Sequence, residues 1–172
     1  VVFDPKGEEI GRYRKIHLFD IHTPDGLRYG ESDSVVAGSE TCVVDVNGFR
    51  LGLAICYDLR FPQLFQKLMR DGADAIVLPA AFTLQTGKDH WEVLCRARAI
   101  ETQCYFLAAA QIGAFEQDGE KRYTYGHSLV CDPWGHVIAR ASDQVGIVSA
   151  KLDRALIAKT RKQIPLASHK VL

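Results

Sequence analysis

A mixed α/β protein with helices packed on sheets is predicted by two patterns. Turn signals bounded by apolar runs recur as hairpins, and helical runs with one apolar stripe lead into short apolar strands. At 172 residues, 47% of them hydrophobic, the chain is one domain's worth of polymer and can bury a sizeable core.

The elements follow in order. Residues 1–3 and 9–16 flank Asp4-Pro5-Lys6-Gly7, where proline presets one φ and glycine accepts a positive one, so a hairpin is expected. Residues 20–38 hold Pro24, Asp25-Gly26, Gly30 and Gly38 and read as a long loop, a length that compact domains reserve for function. Residues 41–46 and 49–55 surround Asn47-Gly48, the strongest short hairpin signal. Residues 61–70 form a helix, with Pro62 near its start, apolar residues at 61, 64, 65, 68 and 69, and Asp71-Gly72 at its end. Residues 73–78 are a buried strand stopping at Pro79. Residues 88–103 form a second helix with Trp91, Leu94, Ala97 and Ile100 near one face, and 104–111 a strongly apolar strand. A polar loop over 115–123, a hairpin of 127–132 and 136–141 across Pro133-Trp134-Gly135, a strand over 145–151 and a closing helix over 152–162 complete the reading.

Composition excludes several classes. Lys plus Arg and Asp plus Glu each number 21, so the net charge of zero argues against binding nucleic acid or an anionic membrane by bulk charge. No apolar run reaches membrane-spanning length, and no signal peptide is recognisable. The five cysteines include no C-x-x-C pair, and neither a carboxylate metal cluster nor a glycine-rich phosphate loop occurs, so no metal and no cofactor is expected. A reducing, cytoplasmic setting is the expectation. The opening Val1-Val2-Phe3 is apolar and lacks an initiator Met, which leads us to expect sequence upstream.

The chemistry centres on Leu53-Ala54-Ile55-Cys56-Tyr57-Asp58-Leu59-Arg60-Phe61-Pro62. A buried strand ends, Cys56 sits at the turn and a helix begins. Exposed backbone N–H groups at such an elbow can bind an oxyanion and favour a thiolate. The residues alone leave two readings open, a nucleophile or a core thiol finishing a strand. A thiol of reference pKa about 8.5 needs a base or cation nearby. Spacing places none of the six histidines there, and Lys15 reads equally as a solvated charge at a strand end. Asp58 and Arg60 are expected to form a local ion pair, and Glu101 a charge network with Arg96 and Arg98.

Tyr13-Arg14-Lys15-Ile16-His17-Leu18-Phe19-Asp20 and the Cys56 segment resemble the lysine and cysteine motifs of the nitrilase (carbon–nitrogen hydrolase) superfamily. The stretch from His90-Trp91-Glu92 to Gln103, Tyr125-Gly126-His127-Ser128 and Asp132-Pro133-Trp134-Gly135 resemble its Nit branch. The resemblance spans about residues 1 to 165 and implies an αββα sandwich, assembled as homodimers through the helix after Cys56 or as larger oligomers. It implies hydrolysis of a small carboxylate-bearing amide, either the ω-amide of a 2-oxo acid or the amide of deaminated glutathione, through a Cys thioester. Carried over by position, Cys56 is the nucleophile. Lys15 holds the oxyanion with the Tyr57 backbone N–H, and Glu31 positions Lys15 and the water or amide. Phe82 and Thr83 become candidate pocket wall, and Arg60 a candidate contact for a substrate carboxylate. The family's general-base glutamate belongs to an N-terminal part that this sequence lacks, and Glu8 and Glu9 sit in the first hairpin and do not replace it. We therefore expect residues 1–172 to be the C-terminal two thirds of one carbon–nitrogen hydrolase domain, with little activity as they stand. The alternatives are a non-catalytic module that binds full-length subunits, and an unrelated Cys–His hydrolase with a histidine against Cys56.

Overall fold

The structure is a computed structural model and describes residues 1–23, 26–117 and 119–171. It opens with a hairpin of β1 (Val2–Phe3) and β2 (Glu9–Gly11). The strand expected over 9–16 stops at Gly11, so Lys15 lies in an unpaired segment beyond it. The stretch 20–38 holds more regular structure than its turn residues suggest. β3 (Asp20–His22) pairs with β4 (Arg28–Gly30), and a 3-10 turn covers Glu31–Asp33. Pro24 and Asp25 lie outside the described residues.

The central elements follow the sequence more closely. β5 (Val43–Val46) joins β6 (Phe49–Leu53) through Asn47 and Gly48 at φ 49° and 81°. Two consecutive positive φ angles define the hairpin turn that Asn-Gly favours. A 3-10 turn over Cys56–Arg60 leads into α1 (Pro62–Arg70), β7 (Ala75–Ala80), α2 (Leu84–Thr102) and β8 (Tyr105–Ala110). After β9 (Ile112–Gln117) and β10 (Glu120–Tyr125) come β11 (Leu129–Cys131), β12 (Val137–Arg140), α3 (Arg154–Gln163) and α4 (Leu166–His169).

The main sheet has six strands in the order β12-β11-β8-β7-β6-β5, with β6, β7 and β8 parallel. Helices α1 and α2 cover one face. Leu64, Phe65 and Leu68 of α1 and Trp91, Cys95 and Ala99 of α2 pack on Ile76, Leu78, Phe106 and Ala108. On the other face, Ile157 of α3 seals a smaller cluster around Ala75 and Tyr105. This is the mixed α/β architecture expected. No helix among the described residues is long and apolar enough to cross a membrane.

Four local expectations are corrected. β7 continues through Pro79 to Ala80. Ala80 O accepts from Gln111 N on the β8 side and Val77 O from Ala54 N on the β6 side, so Pro79 turns its missing donor toward β6, which has already ended. α2 begins four residues earlier than expected, and its buried stripe is Gly87, Trp91, Cys95, Arg98, Ala99 and Thr102, with Ile100 facing water. Gly87 allows this contact, since a Cβ there would meet Tyr125 Cβ at 2.3 Å. The polar loop expected over 115–123 belongs to the β9–β10 hairpin, whose exposed polar strands are held by ladder hydrogen bonds rather than announced by an apolar run. Residues 145–151 form no strand, and Val145 and Ile147 stand 95% and 97% exposed. A strand needs a neighbour to pair with, and none of the described residues provides one.

Phe65 is fully buried, packs against Phe106 with ring centroids 5.7 Å apart and lies beneath the Arg98 guanidinium. Phe65→Ala should destabilise the protein by about 3–5 kcal/mol, read as a lower midpoint in urea unfolding.

Candidate active site

The parallel strands end at one edge of the sheet, and the chemistry-bearing residues collect there. Cys56 follows β6, Ala80-Ala81 ends β7 and Ala110-Gln111 ends β8. These ends border a cleft of about 700 Å³, whose lining also includes Lys15, Glu31 and Ser128. Clefts of roughly 300–1,000 Å³ suit small molecules, and open α/β sheets place them at the carboxyl ends of strands.

Cys56 is the hinge of the elbow. Its φ is +46°, a left-handed value that costs a non-glycine residue energy and persists only where the surroundings enforce it. Cys56 and Tyr57 open the 3-10 turn, so their N–H groups have no carbonyl of that turn to bond. Burial pushes the Cys56 thiol above the ordinary range; a hydrogen bond with the Ala81 backbone and the Lys15 charge pull it back, while Glu31 and Asp58 oppose them. Among the described residues no histidine lines this cleft, as the Cys–His alternative would require, and none acts on the Cys56 thiol. Of the other free cysteines, Cys42 is half-buried and the remaining three are core thiols. Cys95, Cys104 and Cys131 are buried, and burial raises the Cys131 thiol to about 12.

Lys15 is only 8% exposed, and its Nζ donates to Glu31 Oε2. A buried ammonium is tolerated because that carboxylate is in contact with it. The same Glu31 oxygen accepts from Phe19 N at 2.7 Å, and Gly38 N donates to Lys15 O at 2.9 Å, so both residues are held from two sides.

The remaining sequence candidates, Tyr57, Arg60, Phe82 and Thr83, line a small crevice of about 10 Å³ beside Cys56, room for one water at most. Phe82 packs on Trp91, and Arg60 stacks over Phe82 and meets His90 Nδ1 at 3.3 Å. Thr83 precedes α2 and bonds Thr86 through its hydroxyl. These side chains therefore pack beside the elbow, and Phe19 and Cys56 border both this crevice and the larger cleft. Arg60 does not pair with Asp58. Arg98 pairs with Glu101 as expected, whereas Arg96 Nε donates to Gly135 O.

Asp58 is the residue that sequence reasoning undervalued. It is fully buried and accepts from Tyr13 Oη at 2.7 Å, Ile55 N at 2.9 Å and His17 N at 3.1 Å, with His17 Nδ1 at 2.7 Å. No periodic signal announced it, because its partners Tyr13 and His17 lie in an irregular segment that bends at residues 16 and 17. No group of three or more His, Cys, Asp or Glu among the described residues is placed to hold a metal ion.

Comparison with known proteins places the chain in a family. The carbon–nitrogen hydrolase family model matches residues 1–162. The chain belongs to the carbon–nitrogen hydrolase family. It is 47% identical to deaminated glutathione amidase of Synechocystis sp. over 97% of its own length and 61% of that protein's. The crystal structure of the Caenorhabditis elegans NitFhit protein superimposes with a TM-score of 0.90 at 45% identity, covering 98% of this chain and 40% of that one. A Nesterenkonia sp. amidase with the acetamide moiety of fluoroacetamide added at its active-site cysteine superimposes with a TM-score of 0.63 at 26% identity, covering 78% of this chain and 46% of that one. The chain spans about half to three fifths of the length of the deaminated glutathione amidases it matches.

Because burial dominates the Cys56 thiol, its alkylation by iodoacetamide should accelerate with pH through a midpoint above the ordinary thiol pKa of about 8.5. A midpoint at or below that value would mean that Lys15 and Ala81 outweigh burial.

Proposed function

We propose that this chain carries the thiol half of an amidase that hydrolyses a small carboxylate-bearing amide, of the deaminated-glutathione or 2-oxo-acid ω-amide type. The observation that supports it most directly is one cleft holding the Cys56 thiol, the Lys15 ammonium and the Glu31 carboxylate. The chain's 47% identity to a deaminated glutathione amidase supports the substrate class.

In this reading the Cys56 sulfur attacks the amide carbonyl carbon. The carbonyl oxygen becomes an oxyanion, held by the Lys15 ammonium and the Tyr57 N–H. The C–N bond breaks, nitrogen leaves as ammonia with an added proton, and an acyl thioester remains on Cys56. Water then adds to the thioester, and the carboxylic acid departs as the thiol re-forms. Glu31 keeps Lys15 in place and orients the amide or water. The thiol proton needs a base, since burial holds Cys56 protonated. The family resemblance puts that base, a glutamate, N-terminal to the matched region. The same reading makes residues 1–172 the C-terminal two thirds of one domain, working in the cytoplasm as a homo-oligomer.

The test is ammonia release by the full-length protein from deaminated glutathione and from the ω-amide of a 2-oxo acid, with mass spectrometry of the quenched enzyme. An acyl adduct on the Cys56 peptide is expected, and Cys56→Ala should abolish both signals. Retention of ammonia release by Cys56→Ala would sink the proposal.

A further inference from the structure

Asp58 belongs to the elbow in sequence, yet most of its hydrogen bonds go elsewhere. One of them is local: Oδ2 accepts from Ile55 N, an acid three residues into a turn reaching back to cap it. The others come from a segment more than 40 residues earlier, from the Tyr13 hydroxyl, the His17 N–H and the His17 ring. Capping needs a single acceptor, so it does not account for Tyr13 and His17.

Lys15 lies midway between those two residues. Tyr13 and His17 are pinned to one carboxylate, two positions before and two positions after it. The clamp is reinforced on both sides. The His17 ring lies flat on Phe61, the residue just before α1, with centroids 3.7 Å apart and planes 5° from parallel. The Tyr13 hydroxyl donates to Asp58 and accepts from Ile16 N at 3.3 Å. Burial and the Asp58 carboxylate both push the Tyr13 phenol far above its ordinary pKa, which keeps it a donor.

We propose that Asp58 is a positioning residue: through Tyr13 and His17 it holds the Lys15 segment against the Cys56 elbow, so that the ammonium meets the sulfur. The proposal rests on the thiol–ammonium reading above and extends it to residues that do not touch substrate. Apart from these hydrogen bonds, the Lys15 segment meets the elbow through rings, His17 on Phe61 and Phe19 edge-on to Tyr57 with centroids 4.9 Å apart, while the Lys15–Glu31–Phe19 contacts lie within the earlier segment itself. An isosteric amide cannot substitute for the carboxylate. Whichever way Asn is turned, its NH2 faces a donor, either the Ile55 N–H or the His17 N–H.

A double-mutant cycle between Asp58 and Lys15 in the full-length protein tests this, read by the second-order rate of Cys56 alkylation and by ammonia release. Asp58→Asn should slow alkylation about tenfold when Lys15 is present and less than twofold in a Lys15→Met background, since coupled neighbours are not additive. Tyr13→Phe, which keeps the carboxylate and removes one donor, should show a smaller loss that also vanishes with Lys15→Met. Equal losses in both backgrounds, or no loss, would overturn the proposal and leave Asp58 as a cap. If Asp58→Asn loses its far-UV circular dichroism, the Tyr13→Phe cycle decides by the same criterion. Alkylation does not require the amide substrate. Failure of the amidase reading would therefore appear as no ammonia release from the unmutated protein with the coupling intact, which is distinguishable from failure of the clamp.

Discussion

The parallel pairing of β6, β7 and β8 is the constraint on which the site depends. Parallel neighbours cannot be joined by tight turns, so each pair needs a crossover, here α1 and then α2 on the same face of the sheet. Each crossover returns the chain to enter the next strand from the same side, and the three strands finish at one edge. Cys56, Ala80-Ala81 and Ala110-Gln111, each roughly one crossover apart along the chain, converge there. The crossovers are also locked to that edge. The Arg98 guanidinium of α2 donates to Leu59 O, and Trp91 Nε1 donates to His127 O on the way into β11.

Electrostatics at that edge pull in opposite directions. Burial resists ionising Cys56, and a buried ammonium and two carboxylates act on the same sulfur. Lys15 and Asp58 are both withdrawn from water, and each is satisfied by charge or by donors in direct contact. Such groups are costly to bury and more costly to leave half-paired, so their partners hold them in defined places. Cys56 sits at a positive φ, and Phe82, Arg60 and Thr83 line the small crevice beside it.

Several elements were legible from residues alone because their causes are local. Asn47-Gly48 declares its turn through the φ values these residues tolerate, and Pro62 with the apolar residues 64, 65 and 68 declares α1. The elbow at Cys56 was legible for the same reason, as the junction between a strand pattern and a helix pattern. The β9–β10 hairpin was not, because its ladder is made by backbone groups while its side chains are mostly polar and in water. Residues 145–151 show the converse. Their alternation is a property of the segment, whereas becoming a strand requires a neighbour.

The candidate site divides along the same line. The identity of the thiol, its place at a strand-to-helix turn and the family motif around Lys15 are all contained in runs of a few residues. Spacing did not reveal that Glu31 would reach Lys15, or that Asp58 would pass over Arg60 for Tyr13 and His17. Periodicity reports which side of an element is buried. Contacts between residues 13–17 and 55–58 depend on sheet order and on where each crossover returns the chain. The sequence by itself therefore determined the elements whose causes are local and their chemistry, and the tertiary structure alone decided the paired strands β9 and β10 and which charges act on the sulfur.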